Sequence, residues 1–190
     1  MVLPVVHYGD PVLRKKGARI EQITPEIRKL VSDMFDTMYD SRGIGLAAQQ
    51  VAHAVQLTVI DVRGMKDRPS TMQIDGTEVD PEAHMPLSLI NPVVTPSGKQ
   101  IAGAEGCLSF PEIFGDVVRS ERVQVEATDI DGKPVKFTAG GLLARCVQHE
   151  VDHLNGILFI DRMTADEKDE VRPEIDALQA ATKKALSKKR

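Results

Sequence analysis

Tryptophan is absent from this 190-residue sequence, aromatic residues make up only 4% of it, and there are two cysteines, Cys107 and Cys146. Two thiols do not make a disulfide framework, so each cysteine is read separately as ligand, nucleophile or buried filler. No apolar run approaches the roughly 18 residues of a membrane span. The opening MVLPVVHYGD lacks the basic flank and small-residue cleavage site of a signal peptide. Together these absences predict a soluble protein of the bacterial cytoplasm, with no membrane partner. A formal net charge of −4 argues against a generally nucleic-acid-binding surface.

What is present supports a folded enzyme. A 42% hydrophobic content over this length suffices for one domain with a real core, so residues 1–190 are expected to form a single catalytic domain, with a helical extension at about 164–190. Asp10-Pro11 and Thr24-Pro25 both pair an N-cap with a first-turn proline. After the second, Ile27, Leu30, Val31, Met34, Phe35 and Met38 form one apolar stripe, predicting a helix that ends around Arg42-Gly43. Strands are expected at 57–62, 87–94, 122–130 and 134–139, with Asp131-Gly132 turning between the last two. GLLARCVQHEVDHLNG has helical spacing and an Asn155-Gly156 stop. Thr164 and Glu167 form a capping box for a last helix, which Pro173 either kinks or restarts. Residues 63–86 show little periodicity and are expected to be a long loop. Helices and strands do not alternate regularly, which favours an α+β fold over a parallel α/β sheet.

Chemistry concentrates at QHEVDH, residues 148–153. On a helix His149 and His153 lie one turn apart on the same face, with Glu150 beside them, an H-E-x-x-H arrangement suited to metal-assisted hydrolysis. A catalytic site of this kind needs a third protein ligand. The metzincin continuation fails, because Phe159 stands where the third histidine belongs. Glu167, Glu170 or Glu174 would serve a zinc endopeptidase of the two-His, one-Glu type, yet all three suit an acidic helix start. Cys146 lies seven residues from His153, about 10.5 Å along the axis, too far to share one ion. Cys107 remains, in the small-residue run AGAEGCLSFPE, where Pro111 is expected to end the element. A buried structural cysteine and a His-paired nucleophile are the other readings of Cys107, and chelation beside a two-His helix is the more economical.

GIGLAAQQV, residues 43–51, satisfies G-x-G-x-x-A, but it follows a helix and precedes a strand, the reverse of the dinucleotide-binding order. It reads as a helix C-cap and turn, with Gln49 and Gln50 unexplained. A non-enzymatic module with a closed structural zinc site would leave both Gln50 and Cys107 without a purpose.

Taken together, GIGLAAQQ (43–50), EGCLS (105–109) and QHEVDH (148–153) strongly resemble the three motifs of the peptide deformylases, in order. The resemblance spans about residues 4–163. It implies a deformylase-like α+β fold around a central metal-binding helix and hydrolysis of the formyl group of N-formylmethionyl nascent peptides. It further implies Cys107, His149 and His153 as metal ligands and Glu150 as general acid/base, with the Gln50 side-chain amide and the Leu108 backbone N–H facing the developing oxyanion. Ile44, Gly45 and Gly106 would bind the peptide as an added strand, while Glu105, Leu142, Cys146 and His149 would border the methionine pocket. One divalent ion is implied, ferrous iron in preference to zinc, nickel or cobalt. The last eight residues carry five positive charges; this basic end completes a helix dipole or, as in some relatives, contacts the ribosome.

Overall fold

The computed structural model describes residues 1–188, so Lys189 and Arg190 of the basic tail lie outside the described residues. Thr24 caps helix α1 (Pro25–Asp40), its side chain accepting from Ile27 N, and Pro25 sits where a missing N–H costs nothing. The predicted stripe is the buried face: Leu30, Val31, Met34 and Met38 pack against Leu46, Leu57, Val59 and Ile90. The turn that follows holds a short strand, β1 (Gly45–Ala47), and then a 3-10 turn over Ala48–Val51.

Seven strands form one sheet. After β1 come β2 (Leu57–Ile60), β3 (Ser70–Ile74), β4 (Thr77–Val79), β5 (Leu87–Cys107), β6 (Phe110–Thr128) and β7 (Pro134–Gly140). The spatial order is β1-β2-β5-β6-β7-β3-β4, and every strand pair is antiparallel. Helices α2 (Gly141–Leu154), α3 (Ala165–Glu170) and α4 (Arg172–Ser187) follow. This is the α+β class that the irregular element order implies.

Three expectations need correction. The 63–86 segment is not a loop throughout: β3 and β4 form a hairpin across Asp75-Gly76, both at positive φ (48° and 77°), the geometry of a tight two-residue turn. Its inner strand, β3, is sewn to β7 through the Thr71–Gly140, Met72–Ala139 and Gln73–Thr138 pairs, leaving β4 at the sheet margin. The central hairpin is also much longer than the strands expected at 87–94 and 122–130. Pro111 does not end an element; it is the second residue of β6, near a strand start where proline is tolerated. Residues 95–104 of β5 are almost wholly exposed, and three register shifts interrupt its pairing with β6. No apolar alternation therefore marks them as strand.

Helix α2 leaves β7 directly. Its first free N–H groups are satisfied by the 63–86 segment, Leu142 N donating to Pro69 O at 3.1 Å and Leu143 N to Ser70 Oγ at 3.1 Å. Leu142, Leu143, Ala144, Cys146 and Val147 pack on Ile60, Leu89, Val123, Val125 and Phe137, which sets the helix against the sheet at the centre of the molecule. Pro173 restarts rather than kinks the last helix: α3 carries the Thr164–Glu167 capping box, Val171 leaves helical geometry, and α4 begins beyond it. Ile175 of α4 joins Leu13, Phe110, Val117 and Phe159 in a third apolar cluster. No helix among the described residues is long and apolar enough to cross a membrane.

Candidate active site

The end of β5 meets the middle of α2. There one donor atom each from Cys107, His149 and His153 lies within 4.8 Å of the others, with Cys107 Sγ 3.2 Å from His153 Nε2. The thiol comes from a strand end and the imidazoles from successive helical turns, so the triplet forms only when sheet and helix are docked. A soft thiolate with two imidazoles is a donor set that suits Fe(II) or Zn(II), and the three residues could hold such an ion. Cys146, on the same helix, is not among them. Its thiol is pushed well up by burial, with Glu150 and Glu105 adding to the effect, so it stays a neutral wall residue. Glu167 is turned to Thr164 in the capping box, and Glu170 and Glu174 are exposed. None of the three belongs to a metal-capable group among the described residues.

His149 is held by a buried ionic cluster. Its Nδ1 lies 2.9 Å from Glu105 Oε2, and Glu105 also accepts a two-pronged bond from Arg119, at 2.9 Å to each oxygen, and one from Arg145 at 2.8 Å. Burial opposes ionisation of Glu105, but the bonds from Arg119 and His149 outweigh it and hold the carboxyl well below the usual range. An ionised acceptor requires Nδ1 to carry the proton, which leaves Nε2 as the ligating nitrogen. Arg119 continues to Asp152 on α2, and Asp152 to Arg162 at 2.7 Å. Burial lowers His153, and any charge on His149 in the metal-free protein adds to this, so its ring stays neutral as ligation requires. Glu105 lines the cleft as the motif implies, but its carboxylate faces His149 and Arg119. Sequence reasoning missed this orienting role, along with Arg119 and Asp152; only Asp152, inside QHEVDH, lay near a recognisable signal.

Glu150 is 4% exposed, and its Oε2 has no protein partner. A side chain at Gly45 would overlap its carboxylate and come within 2.8 Å of Cys146 Sγ, so the glycine is what lets β1 pass so close. Gln50 is fixed from the other side: its Oε1 accepts from Ala47 N at 2.8 Å, which aims Nε2 at Cys107 Sγ and Ser109 Oγ, 3.4 Å from each. The N-terminal segment straps this corner, Val6 N donating to Gln50 O and Tyr8 N to Ser109 O. Leu108 occupies the turn between β5 and β6. These residues open on a cleft of about 390 Å³ that Ile44, Gly45, Gly106, Leu142 and Cys146 also line. At Gly106 a Cβ would fall 2.6 Å from the ring of the exposed Phe114, which would have to turn aside to admit it.

Burial pushes the Glu150 carboxyl up to about 7 from an ordinary 4.5. In metal-free protein the unfolded chain releases this proton near 4.5 while the folded chain keeps it to about 7, so stability falls as pH rises through that window. The loss above pH 7 is about 3 kcal/mol. Denaturant unfolding of chelator-stripped Glu150→Gln should therefore show a gain over wild type that grows between about pH 4.5 and 7, toward that size. Parallel pH profiles for the two proteins would refute it.

The sequence matches the family model described as polypeptide deformylase over residues 2–169. A peptide deformylase of Methylacidiphilum infernorum is 45% identical over 179 residues, 94% of each chain. One from Opitutus terrae is 43% identical, covering 97% of each. Among solved structures, a plant peptide deformylase superposes with a TM-score of 0.83 at 38% identity, covering 97% of this chain and 93% of the other. The enzyme from Legionella pneumophila gives 0.79 at 36%, covering 95% and 97%. With a matching fold, a family model spanning most of the chain and relatives aligned nearly end to end, this chain belongs to the polypeptide deformylase family.

Proposed function

We propose that this enzyme hydrolyses the formyl group from N-formylmethionine at the start of newly made polypeptides, releasing formate and a free amino terminus. The observation that carries the reading is the convergence of Cys107, His149 and His153 beside a buried glutamate with an unpartnered oxygen. A divalent ion held by these three residues supplies Lewis-acid activation of water and of the formyl carbonyl. Ferrous iron is the ion proposed, with zinc, nickel or cobalt as substitutes. The setting proposed is N-terminal processing during translation in a bacterial cytoplasm, in keeping with the bacterial relatives.

The chain's own residues divide the remaining work. Glu150 takes a proton from the attacking water and passes it to the methionyl nitrogen as the C–N bond breaks, so formate leaves and the amine is protonated. Its carboxylate is buried and keeps one oxygen free of any protein partner, which leaves that oxygen available for both halves of the exchange. The Gln50 Nε2–H and the Leu108 backbone N–H stabilise the charge that develops on the formyl oxygen, and Gln50 is pre-aimed by Ala47. Ile44, Gly45 and Gly106 provide the backbone edges against which the peptide lies extended. Strand β1 is at the margin of the sheet with one edge unpaired, as that role requires. Leu142, Cys146, Glu105 and His149 wall the methionine side chain.

Anaerobically purified protein should release formate from a formyl-Met tripeptide. Glu150→Ala and Cys107→Ser should each lose activity by a factor of about 100 or more while keeping wild-type circular dichroism. Activity retained in well-folded Cys107→Ser would remove the thiolate from the ligand set. Iron beside Cys107 exposes the thiol to oxidation once the metal leaves. Activity should decay in air and persist without oxygen; equal half-lives would count against iron. The ribosome is proposed as a partner of the basic C-terminal helix, of which Lys183, Lys184 and Lys188 are described. Deleting residues 181–190 should weaken co-sedimentation with ribosomes and leave turnover of a short peptide unchanged; undiminished co-sedimentation would sink that contact.

A further inference from the structure

The cleft is also lined by residues that none of the proposed catalytic roles uses. They come from three places: the turn after α1, the segment between β2 and β3, and the outer face of the β5–β6 hairpin. Two of them contribute a cation. Arg42 is an exposed residue in left-handed backbone geometry (φ 56°), with its N–H bonded to Tyr39 O at 3.0 Å. Arg68 is also exposed and reaches across the cleft to donate to Ala104 O at 3.4 Å. Its charge is felt at Cys146 in the pocket wall.

Neither arginine is paired with a carboxylate among the described residues, whereas Arg145, in the same cleft, is committed to Glu105 and to the carbonyls of Ile101, Gly103 and Val117. Arg68 is also placed with care. The residue after it accepts the Leu142 N–H at the start of α2, and at the other end of the segment Asp61 grips Arg63 through two oxygens. Of the acidic groups lining the cleft, Glu105 is neutralised and Glu150 belongs to the reaction. That leaves Glu112, on the hairpin wall, against two cations.

We propose that Arg42 and Arg68 set a preference for formylmethionyl chains that carry an acidic residue at the second or third position. This rests on the deformylase reading, because it takes the direction of the bound peptide from it. A chain extended from the reaction centre advances about 3.3 Å per residue, so the residues next after methionine are the ones that reach this part of the cleft. Exposed pairs are weak and screened by salt, so the effect is a bias among substrates rather than a requirement.

The test compares kcat/KM for C-terminally amidated formyl-Met-Glu-Ser and formyl-Met-Lys-Ser, and for formyl-Met-Ala-Glu and formyl-Met-Ala-Lys. Amidation removes a terminal carboxylate that would itself pair with the arginines. At low ionic strength the Glu/Lys ratio should be about three to ten at one or both positions, carried mainly by KM. It should shrink toward one at about 0.5 M salt and fall below one in the R42E/R68E double variant. Because each ratio is taken within one enzyme, a general loss of activity cancels. A wild-type ratio near one at both positions, or a ratio that survives the double charge reversal, would overturn the proposal. Failure to release formate from amidated formyl-Met-Ala-Ser would instead overturn the deformylase reading beneath it.

Discussion

The carboxylate of Glu105 is the constraint on which the centre depends. It stands near the end of β5, yet its partners come from β6 (Arg119) and α2 (Arg145 and His149), so one side chain ties together the three elements that build the site. Taking such charges out of water is costly and rarely adds net stability over an apolar core. What the cluster supplies here is direction. With Glu105 ionised, His149 has one tautomer and one ring orientation, and the nitrogen left free to ligate is set by the protein alone. Asp152 extends the same network from Arg119 to Arg162, linking α2 to the segment that leads into α3.

A second device fixes the opposite wall without charge. Gln50 spends its amide oxygen on Ala47 N, and this removes the rotational freedom of the group proposed to meet a transient negative oxygen. Donors fixed in advance stabilise developing charge without reorganising during the reaction. The N-terminal residues contribute by holding the backbone of Gln50 and Ser109 in place, an otherwise unremarkable use of Val6 and Tyr8.

What could be read from the sequence follows from how local each signal is. The α1 stripe, the caps at Asp10, Thr24 and Thr164, and the paired histidines of α2 are patterns within a few helical turns, and all appear where expected. The hairpin beyond Val94 was hidden because its residues are exposed and its register shifts, which erases the alternation that marks a half-buried strand. The β3–β4 hairpin did carry a turn signal in Asp75-Gly76, but its strands are five and three residues long, too short for periodicity to show. In the site, Cys107 could be singled out because a two-histidine helix leaves a ligand wanting. Arg119 could not, because nothing in a single sequence ties residue 119 to residues 105 and 152. The same holds for Arg42 and Arg68, whose shared cleft is a product of tertiary structure alone.

Strand β1 has one further consequence. An open sheet edge ordinarily invites pairing with any other extended edge, including that of a neighbouring protein. Here the edge is three residues long, fully buried in character, and recessed in a cleft whose far side is the Gly106 wall. So short and buried an edge leaves few backbone groups with which a neighbouring sheet could pair. The placement that suits β1 to the proposed peptide contact thus also limits edge-to-edge association of the folded protein.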